Sequence, residues 1–140
     1  MKPLSHLMFS SILAILLYPL YNWKVLFVLA GGFLIDIDHY LWYIYRYKKF
    51  NLIDSYRFYM KNIEVNDFTN VMGILLIFHS VEFLLVMIIL SFYNEYVFIF
   101  TIGVILHYLL DLIFLFIYTR RFIVNHSIIW WIIKEKIQKV

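Results

Sequence analysis

The sequence contains no cysteine. That absence excludes a disulfide framework and a thiolate zinc site, and it leaves the redox compartment open. Charge is scarce too: Asp, Glu, Lys and Arg make up 15% of the 140 residues, against about a quarter in a soluble domain. The net charge of +3 is small, and no DNA- or RNA-binding motif accompanies it, so no nucleic-acid partner is expected. Repeats, linkers and low-complexity tracts are absent, so residues 1–140 read as a single domain. What the chain has in abundance is apolar surface: 64% hydrophobic residues and a mean hydropathy of +0.83. With about 20 apolar residues per crossing, the length accommodates about four spans. The expected fold is all-α, an integral membrane bundle of about four transmembrane helices with two further interfacial helices.

The first span is expected from about Leu4 to Leu20. A cleaved signal peptide competes for this segment, but His6 interrupts it early and no small-residue cleavage site follows Ala14. Pro19 and Asn22-Trp23 mark a tight turn into a second span, from about Lys24 to Tyr45. Adjacent glycines, Gly31-Gly32, lie in the middle of it and let a neighbouring backbone approach closely. Residues 46–70 are polar and mixed in charge; within them Leu52–Ile63 carries apolar groups at helical spacing and suits an interfacial helix. Asp67-Phe68-Thr69-Asn70 resembles a helix start. It leads into a third span over about Val71–Phe92, and a fourth follows from about Val97 to Tyr118. Phe122–Ile133 is too short to cross and reads as an interfacial tail helix. Lys2, the Arg46–Lys61 segment, Arg120-Arg121 and the tail lysines alternate with the two short turns, which places both termini in the cytoplasm of a prokaryotic-type cell membrane.

Within these apolar runs stand acids and imidazoles. Ionisable groups at bilayer depth are costly and face a partner, a cavity or an ion. Asp36, Asp38 and His39 fall within four residues; His79 and Glu82 are three apart, His107 and Asp111 four apart. Counted at 1.5 Å per residue from the non-cytoplasmic turns, His6 lies roughly 21 Å down, Asp36 roughly 18, His79 roughly 20, Glu82 roughly 15, His107 roughly 16 and Asp111 roughly 22. Four spans therefore deliver ligand-type groups to one layer in the cytoplasmic half. Bundle metals are held by such inward pairs. The metal-ligand candidates are His6, Asp36, Asp38, His39, His79, His107 and Asp111, which outnumber the four ligands of one structural zinc. Imidazole and carboxylate together suit zinc, with Mn or Fe as alternatives, rather than Ca or Mg. One ion with hydrogen-bonded carboxylates around it, or two ions, would use them. Asp36 and His39 share a helix face, whereas Asp38 points elsewhere on a straight helix, so either the helix is distorted or Asp38 sits behind a ligand. His126 is assigned to the tail helix.

An early His6, the run Asp36-Ile37-Asp38-His39 after a glycine, His79-Ser80, and Gly103 to His107 to Asp111 resemble the YdjM-like membrane-bound metal-dependent hydrolase family. Ile35 stands where that family commonly has proline, and Phe78 where it has threonine. The family is distantly similar to zinc-dependent phospholipases C. The resemblance implies hydrolysis of a phosphoester, such as a lipid headgroup or prenyl phosphate, at the cytoplasmic leaflet. Glu82 or Asp38 is the expected proton acceptor, and Arg46, Lys48 and Lys49 are placed to steer an anionic, membrane-borne substrate. Two other readings compete: a proton- or divalent-ion-handling transporter, and a non-enzymatic module that its metal staples together.

Overall fold

A computed structural model describes residues 2–64, 76–119 and 127–137. Every regular element among them is helical. Helix α1 spans Pro3–Tyr21, with Pro at its start, where the missing N–H costs nothing. Pro19 lies inside its last turn, and the chain reverses at Asn22, whose φ of 50° ends the helix. One tight helical turn, Asn22–Val25, leads into α2, Leu26–Phe33. The reversal is pinned by a Lys24–Glu95 ion pair, which ties it to the start of the last long helix and raises the Lys24 pKa through that hydrogen bond.

The expected second span is interrupted. After α2 come a 3₁₀ turn at Leu34–Asp36 and a new helix α3, Ile37–Tyr47. Phe33, with φ −127° and ψ −44°, marks the break. Lys48 (φ 55°) ends α3, and Asn51 caps α4, Leu52–Glu64, by accepting from the amides of Ile53 (2.9 Å) and Asp54 (3.3 Å). A helix is thus present where one was expected: Phe58 and Tyr59 pack on Trp42, Tyr43 and Tyr47, while Leu52, Ile53 and Tyr56 stay exposed.

The expected third span is not one helix. The chain makes a 3₁₀ turn at Ile77–His79, and α5, Val81–Ser91, starts only after Ser80. Ser80 has extended backbone and its hydroxyl caps the helix by accepting from the Phe83 amide at 3.1 Å. At 11 residues α5 is about 16 Å long, half of the hydrocarbon thickness of about 30 Å. The helix signal at Asp67–Asn70 and the start of that span lie outside the described residues, as do Arg120, Arg121 and His126. Asn94 then caps α6, Glu95–Thr119, through the amides of Tyr96 and Val97. The tail helix α7 spans Ile128–Ile137. The stretches Pro3–Tyr47 and Glu95–Ile117 are long and apolar enough to cross a membrane.

Helices α1, α2 and α6 frame the site. α2 packs against α6, and α1 against α2. Val28, Ile99 and Val104 are fully buried at the crossing. Small residues let the backbones meet: a Cβ on Gly31 would run into the Phe100 carbonyl oxygen, and one on Gly103 into that of Val28. That close approach brings His6 of α1 and His107 of α6 beside the α2–α3 break.

Candidate metal centre

The interruptions that shorten the helices build the site. At the α2–α3 break the tight turn presents Asp36 and Asp38 to the same neighbourhood, which a straight helix would not do. At the 3₁₀ turn before α5, His79 is turned inward and buried. His6 and His107 have no exposed surface at all.

Four ligand-type atoms converge. His79 Nε2 lies 3.0 Å from His107 Nε2. Asp36 Oδ1 is 3.6 Å from the first and 3.5 Å from the second. Asp111 Oδ2 is 3.7 Å and 3.2 Å from the same two nitrogens. Ligands held at 2.0–2.1 Å in a tetrahedral site are separated by about 3.3 Å, so these spacings bracket those of a metal's coordination shell.

The protonation of the imidazoles follows from their other partners. His107 Nδ1 lies 2.9 Å from the Gly32 carbonyl oxygen, which only accepts, so Nδ1 carries the proton and donates it. His79 Nδ1 donates to Asp38 Oδ2 at 2.9 Å, and the Phe78 amide donates to the same oxygen at 3.1 Å. With both rings neutral, each Nε2 would then present a bare lone pair. Two lone pairs 3.0 Å apart, flanked by two carboxylate oxygens, require a cation or a shared proton between them. Asp38–His79 is the carboxylate–imidazole arrangement that orients ligands at metal sites.

The described residues form three overlapping groups able to hold a metal ion: His6, His107 and Asp111; Asp36, His79 and His107; and Asp38, His39 and His79. The donor set, nitrogen and carboxylate oxygen, fits zinc, manganese or iron. Among the described residues, five buried polar atoms here find no hydrogen-bond partner: His6 Nδ1, Ser10 Oγ, Asp36 Oδ2, Asp38 Oδ1 and His39 Nδ1. Buried polar groups are ordinarily paired, so this concentration of orphans at one place marks a site rather than a packing core.

All seven expected metal-ligand candidates meet here. His6 reaches Asp111 Oδ1 at 3.1 Å, and His39 Nε2 lies 3.7 Å from Asp36 Oδ1. Glu82 does not join them, and its expected role as proton acceptor is corrected. Its carboxylate accepts from the Ser127 hydroxyl (2.6 Å) and from the amides of Ile128 (3.0 Å) and Ile129 (3.2 Å). Once α5 starts at Val81, Glu82 leaves on a face turned toward α7, whose first amides it satisfies. Glu82→Ala should therefore speed amide exchange at Ile128 and Ile129 several-fold and leave bound metal unchanged. Lost metal with unaltered exchange would return Glu82 to the site.

Two tyrosines also serve the site. The Tyr108 hydroxyl lies 3.0 Å from the Phe78 carbonyl and 2.6 Å from that of Ser80, and so holds the turn that carries His79. Tyr59 of α4 donates to the His39 carbonyl at 2.9 Å; burial pushes its pKa well above the ordinary value, so it stays a donor. The position of Tyr108 beside His107 was the available signal for the first; nothing local marks the second. Comparison of the chain with models of known protein families, with curated proteins and with solved structures gives no match.

Proposed function

We propose that this protein is a membrane-embedded, metal-dependent hydrolase acting on a phosphoester carried in the cytoplasmic leaflet. One observation carries the reading: the lone pairs of His79 and His107 converge with Asp36 and Asp111 oxygens in a buried place, with both Nδ1 atoms committed elsewhere. The resemblance to the YdjM-like hydrolases, carried by His6, Asp36–His39, His79-Ser80 and the Gly103–Asp111 run, supports the same reaction class.

Asp36, His79, His107 and Asp111 would hold the ion, with zinc the choice that best suits the donors. Such an ion lowers the pKa of a bound water and offsets charge on phosphoryl oxygens. The chain's own residues do the rest. Asp36 Oδ2 is buried and has no partner among the described residues, so it is free to take a proton from an attacking water. Asp36 and Asp111 keep 17% and 24% side-chain exposure while the imidazoles are nearly sealed, so the site opens on its carboxylate side. Arg46, Lys48 and Lys49 are exposed at the end of α3 and attract anionic headgroups. If the chain crosses the membrane four times, as its hydropathy suggests, these basic residues and both termini would share the cytoplasmic side. α4 then lies in the headgroup layer with Leu52, Ile53 and Tyr56 toward the acyl chains.

The test is zinc-loaded protein in mixed micelles offered phosphatidate, a phosphodiester lipid and a prenyl phosphate. Wild type should release product from at least one class, and Asp36→Asn should lose both its ion and that turnover. A protein that keeps its ion, melts when chelated and turns over none of the three is a metal-stapled module instead.

A further inference from the structure

We infer that the centre takes a single divalent ion, and that His6 and Asp38 are positioning residues that aim its ligands. The inference rests on the metal-site reading above but not on hydrolysis. A neutral imidazole has one lone pair, and that lone pair lies in the plane of the ring. His79 and His107 have each committed Nδ1–H, to Asp38 and to the Gly32 carbonyl, so each offers Nε2 alone. Their rings stand at 71° to one another and the two nitrogens are 3.0 Å apart, so the lone pairs aim at a common point.

His6 is placed differently. Its ring is stacked on His107, 12° from parallel, with centroids 3.7 Å apart. Lone pairs in parallel, offset planes run side by side and do not meet. The in-plane lone pairs of His6 therefore do not point where that of His107 Nε2 points, and the two rings would not hold one ion together in good geometry. His6 Nε2 instead contacts Asp111 Oδ1 at 3.1 Å, while the other oxygen of Asp111 lies 3.2 Å from His107 Nε2. His6 thus holds Asp111 from behind as Asp38 holds His79. A second ion beside Asp38 and His39 would need a second lone pair from His79, and its Nδ1 is already protonated toward Asp38. One ion with outer residues that fix ligand orientation accounts for all these contacts.

The experiment titrates the full chain in detergent with zinc, and in parallel with cobalt(II), whose visible absorption reports coordination number. Wild type should bind one ion per chain. His6→Gln, which keeps an N–H toward Asp111, should still bind one ion with an unaltered cobalt spectrum. Asp38→Ala should also bind one ion, about 10–100-fold more weakly, and Asp38→Asn, which keeps an acceptor for His79, should recover part of that loss. Two ions per wild-type chain would overturn the inference. So would a cobalt spectrum in His6→Gln that has moved to a lower coordination number. A chain that binds one ion and hydrolyses no phosphoester upholds the single-ion inference while removing the hydrolase reading.

Discussion

His107→Ala is expected to lose the bound ion and a large part of the protein's stability together. His107 is fully buried, and its Nε2 faces His79, Asp36 and Asp111 at 3.0, 3.5 and 3.2 Å. Loss of an outer-shell partner weakens metal sites by about 10–100-fold, so loss of this inner ligand should cost more than about 100-fold. The same substitution removes the donor to the Gly32 carbonyl and the ring stacked on His6. An orphaned buried carbonyl costs about 1–3 kcal/mol, and the vacated ring space adds a cavity term. Elemental analysis should find wild type loaded and the variant empty. Thermal unfolding in detergent should show a lower Tm for the variant than for chelated wild type, because only the variant also has the cavity. A variant that retains its full metal content removes His107 from the centre and with it the proposed chemistry.

The common layer of acids and imidazoles is legible in the sequence because rise per residue is a property of helices, whatever the side chains. Counting from the two short turns was enough to bring His6, Asp36, His79, His107 and Asp111 to one layer. The local directions were not readable, because the count assumed unbroken helices. Leu34–Asp36 tightens into a 3₁₀ turn, and the chain breaks at His79-Ser80. The Ser80 hydroxyl, free to cap Val81–Ser91, was a visible sign of the second break. Its consequence was the misplacement of Glu82: three residues from His79 on a continuous helix is a neighbour, but in the first turn of a new helix it is not. The remaining partners are main-chain atoms, the Gly32 carbonyl and the Phe78 amide, and main-chain groups leave no trace in a sequence. Of the architecture, the long apolar helices Pro3–Tyr21 and Glu95–Thr119 and the amphipathic helix Leu52–Glu64 were legible from hydropathy and spacing. The tail helix begins at Ile128 because Glu82 and Ser127 satisfy its first amides, a contact 45 residues apart that periodicity does not register.

Gly31→Ala should separate α2 from α6 and weaken metal binding although it touches no ligand. In an isolated helix the change from Gly to Ala is favourable by about 1 kcal/mol. Here the added Cβ would run into the Phe100 carbonyl oxygen and come within 3.0 Å of the Val104 nitrogen. Both obstacles are backbone of a long helix, which cannot turn aside as a side chain can. Overpacking of this kind costs about 1–3 kcal/mol, so the steric cost outweighs the gain in propensity. The two helices must move apart, and the movement carries His107, three residues beyond Val104, away from the Gly32 carbonyl that fixes its tautomer. Gly32→Ala offers the contrast, because its Cβ meets the Ser10 hydroxyl and Ser10 Cβ, both side-chain atoms. Ser10→Gly should therefore rescue Gly32→Ala, with the added carbon on α2 occupying the room vacated on α1. The coupling, measured from the four Tm values of a double-mutant cycle, should be favourable. No single side-chain truncation on α6 should rescue Gly31→Ala. If Gly31→Ala instead melts at or above the wild-type temperature with its ion in place, the close crossing of α2 and α6 is not what holds His107 to the centre.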